Sequence, residues 1–280
     1  MTVIAIARQQ ASYGHSIGRM LADRLNYRFL DSSTVTGELE RYGAAMNAHI
    51  PEMEEKKPSL LERIQEDRYR YRAVLRSTVY GFAESGNAVI VGLASTSLLR
   101  DVSHALKVLV LAPEPIRVER LRALQEESIG QRVDEEHILQ SIRRSDRQRA
   151  GYMHYLFHVD WLDPVGHDLV INTQRTSAES AVELLTTLAQ RPEYQPSIRS
   201  ADRLESHALS SRLEALLASH PEMQVIRPTV RVTPSEVLIT GEVLSGTDMT
   251  AAEDLVLNLV GNRRVINQLR MKPFAYADTM

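Results

Sequence analysis

Three runs in the first 112 residues are apolar almost without interruption: "VIAIA" at 3–7, "AVIVG" at 88–92 and "LKVLVLA" at 106–112. Alternating strands with one wet face do not read this way. Continuous apolar strands belong to a parallel sheet covered on both sides. Two shorter runs, "YRFLD" at 27–31 and "DLVIN" at 168–172, complete a set of five. Helical patterns separate them: Ile17, Met20, Leu21 and Leu25 recur on one face, as do Leu60, Leu61, Ile64, Tyr71, Leu75 and Val79 in a longer helix. Strand and helix in alternation give βαβ units and a doubly wound α/β sheet of five parallel strands.

The passage out of the first strand is the most informative stretch: "AIARQQASYGHSIGRMLADRL", residues 5–25. A buried strand enters a small-residue turn and then an amphipathic helix, the layout of a phosphate cradle. Such a cradle needs glycines where the backbone turns, N–H groups at a helix N-terminus, a lysine and a Ser/Thr for magnesium. Set against GxxxxGK[ST], the chain reads Gln9 to Ser16, with Gly14 and Ser16 in place, Gln9 for the first glycine and His15 for the lysine. The loop alone fits two readings, a nucleotide site and a tight structural turn.

Two further clusters carry chemistry. "SIRRSDRQRAGY" holds Arg143, Arg144, Arg147 and Arg149; arginines neutralise a transferring phosphoryl group, or line a solvated helix face paired with Glu135, Glu136 and Asp146. Asp31, Ser32 and Ser33 follow the second strand, where open α/β sheets bind ligands and where helices also take their caps. His154 and His158 are four residues apart without an evident third metal ligand, and aromatic neighbours point to packing.

After a closing helix at about 177–190, "QRPEYQPSIRS" reads as a linker. A helix in "LESHALSSRLEALLASHP", two strands in "TVRVTPSEVLITGEVLS", a helix in "DMTAAEDLVLNLVG" and a strand in "NRRVINQLRM" follow. That order makes a small α+β domain. Asp248 or Thr247 is the expected cap of its second helix and Gly261 the expected C-terminal glycine. The expected division is 1–190, linker 191–202, second domain 203–272 and tail 273–280.

Composition removes several classes. Without cysteine there is no disulfide framework and no thiolate chemistry. A net charge of −3 and 5% aromatic residues argue against a nucleic-acid partner. "MTVIAIARQQ" lacks a basic flank and a long apolar run, so the expected location is cytoplasmic.

"IAIARQQASYGHSIGRMLADRLNYRFLDSSTV" together with "IRRSDRQRAGYMHYLFHVDWLDPVGHDLVINTQRTSAESAVELL" resembles the cytidylate kinase-like family of P-loop proteins, over residues 1 to about 190. The resemblance implies a nucleoside-monophosphate-kinase fold and ATP with Mg2+. It places donor nucleotide at Ser12, Tyr13, Gly14, His15, Ser16, Arg117 and Arg120, with Ser16 also on the metal. Arg143, Arg147 and Arg149 would be catalytic arginines of a lid, and Asp31, Ser32 and Gly92 would border the acceptor. There are departures. Ala11 and Tyr13 stand at glycine positions, His15 where relatives have lysine or arginine, and Leu93 where they usually show arginine. Residues 203–271 resemble the BON domain, through "VLITGEVLS" with Gly241 and a close at Gly261, Val265 and Asn267. Such a domain implies a membrane, a ligand or a protein partner, with self-association as the alternative; because no export signal is read at the start, contact with a membrane is not expected. Two functions follow from the resemblance: a kinase of a nucleoside monophosphate with weakened activity, or an inactive nucleotide sensor or scaffold that docks through its C-terminal domain.

Overall fold

A computed structural model of the chain describes residues 2–32, 65–92 and 94–272. Ser33, Leu93, the helix positions Leu60, Leu61 and Ile64 and the tail 273–280 lie outside them.

Five parallel strands form the first sheet: β1 (Val3–Arg8), β2 (Arg28–Leu30), β3 (Ala88–Val91), β4 (Ala105–Leu111) and β5 (Leu169–Asn172). Their spatial order is β2-β3-β1-β4-β5, which places β1 at the centre. The continuous apolar runs resolve into two faces by the alternation of side chains along a strand. Ile4 and Ile6 join Val89, Val91, Val108 and Val110 on one face, under Ile17 and Leu21 of α1 (Gly14–Leu25). Val3 and Ala5 face the other way, toward Tyr71, Val74, Leu75 and Val79 of α2 (Gln65–Glu84). A short α3 (Ser95–Leu98) follows β3. Two longer helices, α4 (Glu114–Ile129) and α5 (Glu135–Phe157), lie between β4 and β5. α6 (Ala178–Ala189) closes the unit beside α1 through Val182 and Leu185.

The C-terminal unit is α7 (Ile198–Ser219), β6 (Val225–Val232), β7 (Glu236–Val243), α8 (Gly246–Leu257) and β8 (Arg264–Met271). β7 is central, antiparallel to β6 and parallel to β8. Gly241 has φ +139°, and a Cβ there would meet the Ile226 carbonyl at 3.0 Å, where β6 bulges between Ile226 and Thr229. Only glycine passes that bulge comfortably.

Two local expectations change. α7 begins at Ile198, six residues ahead of the apolar pattern, because Ser197 and Ser200 make a reciprocal capping box. Ile198 is 85% exposed, so hydrophobic period gives no sign of that turn. α8 is capped by Ser245, whose hydroxyl accepts from the Asp248 N–H, and not by Asp248 or Thr247. Gly261 does adopt φ +62°, but the helix has already ended at Leu257.

α7 belongs to both units. Leu213 and Leu217 enter the core of the second sheet, while Leu204, Ala208 and Ala215 join the cluster around α2. Polar contacts reinforce the junction. Arg76 donates to Glu214 at 2.9 Å, and the same carboxylate accepts from the Val230 N–H at 3.0 Å. Arg70 donates to the Ala218 carbonyl at 2.8 Å, and Tyr69 donates to the Pro228 carbonyl. Burial, with the Glu214 charge nearby, pushes the Tyr69 phenol up to about 12. Among the described residues, no helix is long and apolar enough to cross a membrane.

Candidate functional site

β1 delivers the chain to the C-terminal edge of the sheet at its centre, the place where open α/β sheets hold ligands. The loop from Gln9 to Tyr13 is fastened to β4. The Gln9 N–H donates to the Val110 carbonyl at 3.1 Å, and the Gln9 side chain accepts from the Ala112 N–H at 3.2 Å. Ser12 is fully buried, with its hydroxyl 2.9 Å from the Gln9 carbonyl and 3.0 Å from that of Val110. Held in this way, Ala11 takes φ +58° and Tyr13 φ +65°. Left-handed backbone costs an L-residue about 1–2 kcal/mol. At both positions the backbone takes a conformation that glycine would adopt freely.

Among the described residues no side chain caps α1, and its first turn carries no acidic residue. Asp134, Ser177, Ser197 and Ser245 each accept from the N–H groups of the helix they precede. The α1 N-terminus thus presents N–H groups and the positive end of its dipole at the turn. Gly14 opens this helix because any Cβ would sit 2.4 Å from the Cβ of Arg8.

The loop side chains have specific neighbours. The Tyr13 ring lies over the Arg120 guanidinium, 3.8 Å from its carbon. Arg120 donates to the Thr173 hydroxyl at 2.9 Å and to its carbonyl at 2.7 Å, and Thr173 donates to the Ser12 carbonyl at 3.0 Å. Arg120, Tyr13, Thr173 and Ser12 therefore form one brace. His15 points toward the end of β2, with Nδ1 3.6 Å from Asp31 and its ring edge-on to Phe29. Ser16 is exposed on the first turn of α1. Asp31 is 4% exposed, and Ser32 beside it is half-buried.

The arginines separate. Arg117 is 3% exposed and makes a two-pronged bond to Asp146 at 3.1 and 2.8 Å, with its Nε on the Ala112 carbonyl. It binds α5 to the start of α4. Arg143 makes a similar fork with Glu114, at 2.9 and 2.8 Å, on the outside. Arg147 is exposed, and two residues further along, roughly 200° round the helix, Arg149 turns inward. It donates to the Arg8 carbonyl at 2.6 Å, with its guanidinium carbon 5.4 Å from the centre of the Trp161 ring. Of the expected lid arginines, Arg149 alone reaches the sheet edge. His154 and His158 lie edge-on at 6.1 Å.

Beside the loop is a narrow cleft between the ends of β1 and β3 and the inner face of α5. Arg8, Gly92, Thr96, Arg149, Tyr152 and Trp161 line it, and its free volume is about 30 Å3. Arg8, Thr96, Tyr152 and Trp161 are absent from the sequence-derived site. An arginine ending an otherwise apolar strand, "VIAIAR", was the available signal for the first. Gly92 has φ +77°, and a Cβ there would strike the Arg8 guanidinium at 2.6 Å. The Tyr152 hydroxyl lies 2.7 Å from that of Tyr71, which ties this wall to α2.

The sequence model of the cytidylate kinase-like family matches residues 3–175, and that of the BON domain residues 206–273. No curated protein matches the chain. Among solved structures it is similar to an uncharacterized protein from Eubacterium ventriosum, at 20% identity over 68% of this chain and 100% of that one, with a TM-score of 0.46. It is also similar to shikimate kinase from Bacteroides thetaiotaomicron, at 16% identity over 68% and 99% of the two chains, TM-score 0.39. A third is shikimate kinase from Acinetobacter baumannii in complex with shikimate, at 17% identity over 67% and 92%, TM-score 0.37.

Proposed function

The chain belongs to the cytidylate kinase-like family, and from that premise we propose that it binds the phosphates of ATP at residues 9–16 and phosphorylates a nucleoside monophosphate slowly. The observation that carries the reading is the backbone of that loop. Ala11 and Tyr13 are held left-handed, against their preference, ahead of a helix that no side chain caps. Strain of this kind persists where the surroundings enforce it, and it concentrates at ligand sites. Slowness follows from the side chains. Phosphoryl transfer depends on charge neutralisation by groups already in place. Here His15 faces Asp31, Arg117 is committed to Asp146 and Arg143 to Glu114.

Magnesium would arrive with the triphosphate, and the Ser16 hydroxyl is the ligand this chain offers it. A single hydroxyl suits an ion that keeps water and phosphate oxygens around it. Asp31, Ser32 and Gly92 would border the acceptor. The second reading is an inactive nucleotide sensor or scaffold, docking to a partner or a second copy through its BON-matching domain. What favours it is α7, shared between the two cores, through which a bound partner would be felt directly at α2.

The test is calorimetric titration of ATP and CMP, with magnesium, followed by a kinase assay across monophosphates. Micromolar ATP binding with slow turnover is expected. The pair His15→Lys with Tyr13→Gly should raise ATP affinity. No binding of either nucleotide at millimolar concentration would end the kinase reading and leave the scaffold.

A further inference from the structure

We propose that His15 is a phosphoryl-accepting nucleophile: its Nε2 takes the γ-phosphoryl group of a nucleoside triphosphate and passes it on, with Asp31 orienting the ring and Arg19 meeting the charge. This rests on the nucleotide reading for its donor and departs from it in route, a covalent phosphohistidine in place of direct transfer.

His15 is the second residue of α1. Its side chain is 56% exposed, open to a substrate, and the Asp31 side chain beside it is 6% exposed. Nδ1 stands 3.6 Å from Asp31 Oδ2, and the imidazole meets the Phe29 ring edge-on at 5.5 Å. A carboxylate at Nδ1 favours the proton on that nitrogen and leaves the lone pair on Nε2. Nε2 has no hydrogen-bond or ion-pair partner among the described residues. The ring is thus held at one nitrogen and open at the other. A nucleophile oriented by a neighbouring group is the arrangement that covalent catalysis requires. Lysine at this position would give a permanent cation; an imidazole facing a carboxylate gives a nitrogen nucleophile instead.

Arg19 supplies the third part. It lies four residues along α1, on the same face as His15, and its guanidinium carbon is 4.0 Å from the centre of the same Phe29 ring. It pairs with no carboxylate among the described residues, whereas Arg117 and Arg143 are committed to Asp146 and Glu114. Phe29 therefore gathers an imidazole at its edge and a guanidinium on its face, and guanidinium suits phosphate oxygens. In the first step the Nε2 lone pair attacks the γ-phosphorus. The bond from that phosphorus to the β–γ bridging oxygen breaks, and its electron pair leaves on the diphosphate. An N–P bond has formed, Nδ1 keeps its proton, and the positive ring faces Asp31. Arg19 and the N–H groups at the start of α1 are the positive groups available to the phosphoryl oxygens. In the second step an anionic oxygen of the acceptor monophosphate, or a water oxygen, attacks the phosphorus. The N–P bond breaks and its electron pair returns to Nε2; with water, the displaced proton goes to solvent.

The full-length protein would be incubated with magnesium and ATP labelled in its γ-phosphate, then denatured and separated. Label is expected on the protein, stable to alkali and lost in acid as an N–P bond is, and peptide mapping should place it at His15 among the nine histidines. Phosphoramidate, a donor with no nucleotide, should label the same residue. His15→Gln should abolish the label. Asp31→Asn should slow labelling about tenfold or more, the loss of a group that orients an imidazole, and Asp31→Glu should restore part of the rate, which a packing role alone would not give. Circular dichroism establishes that each variant is folded; labelling of the unaltered chain needs no variant. Acid-stable label, label mapped to another residue, label retained in His15→Gln, or no label from either donor would overturn the proposal. ATP binding by calorimetry with turnover but no label sinks the nucleophile and spares the nucleotide loop. Phosphoramidate labelling of His15 without ATP binding does the reverse.

Discussion

The loop at residues 9–16 and the junction of α2 with α7 lie in one chain and are built on opposite principles. In the junction, the buried Glu214 carboxylate is met by Arg76 on one side and the Val230 N–H on the other. Arg70 finds the Ala218 carbonyl, and Ser210 donates to that of Val230. In the loop, two residues sit in backbone conformations they disfavour, and among the described residues the following helix has no side-chain cap and the neighbouring Arg8 pairs with no carboxylate. A satisfied polar network is rigid and expensive to break, whereas a strained and uncapped turn is what a ligand can improve. The difference puts stability in the junction and, under the proposed reading, binding in the loop.

The largest effect should come from breaking the junction. Glu214→Ala leaves Arg76 and the Val230 N–H without their acceptor. Removing one partner of a buried pair costs roughly 3–5 kcal/mol, and Arg76 is partly exposed, so about 3 kcal/mol is expected. Denaturant unfolding measures it. The ATP affinity of the folded variant should match that of the unaltered chain. A change below about 0.5 kcal/mol, the range of ordinary surface substitutions, would show that the two regions are not separated in the way described.

Gly14→Ala comes next, and it tests the other side. The new Cβ would lie 2.4 Å from the Cβ of Arg8 and 3.3 Å from that of Val110. Overpacking of this kind costs about 1–3 kcal/mol. The displacement falls on the first residue of α1, so nucleotide binding should be lost together with stability. Stability lost with binding intact would make Gly14 a packing residue only.

Which parts of this were readable in advance follows the same division. Burial on both faces writes itself into sequence as continuous apolar runs, so β1, β3 and β4 were legible directly, and β2 and β5, partly exposed, were legible only as shorter β-rich runs beside them. The αββαβ order of the C-terminal unit was legible for the complementary reason, alternation on strands with one covered face. Caps were less so: Ser197 acts ahead of an exposed, aperiodic turn, and Ser245 precedes the two residues that looked like better candidates. Site side chains were least legible, because their partners are distant in sequence. Arg117 and Arg120 are three residues apart on one helix, yet the first finds Asp146 and the second Thr173. Arg143, Arg147 and Arg149 share a helix, and only register with the buried Ile142, Tyr152 and Met153 turns the last one inward. Arg8 was passed over because what it touches, Gly14 at its Cβ and the cleft beside Gly92, is not adjacent to it in sequence.

The smallest effect is the most diagnostic of the loop. Ala11 holds φ +58° with its methyl partly buried against the cluster of Val118, Leu121, Ile138 and Ile142. Ala11→Gly removes about 1–2 kcal/mol of left-handed strain and returns roughly 0.4–1 kcal/mol through the more flexible unfolded chain. Loss of the methyl contact takes a little more. The net should be a gain of about 0.5 kcal/mol, read as a small rise in the denaturant midpoint at unchanged slope. Most core-facing alanines lose stability on becoming glycine, so the sign carries the information. A gain, together with ATP affinity equal to or better than before, says the loop is held in a cradle conformation against local preference. A loss of about 1 kcal/mol, the usual penalty for glycine in place of alanine, would say that Ala11 rests comfortably where it is. The strain on which the nucleotide reading depends would then be absent.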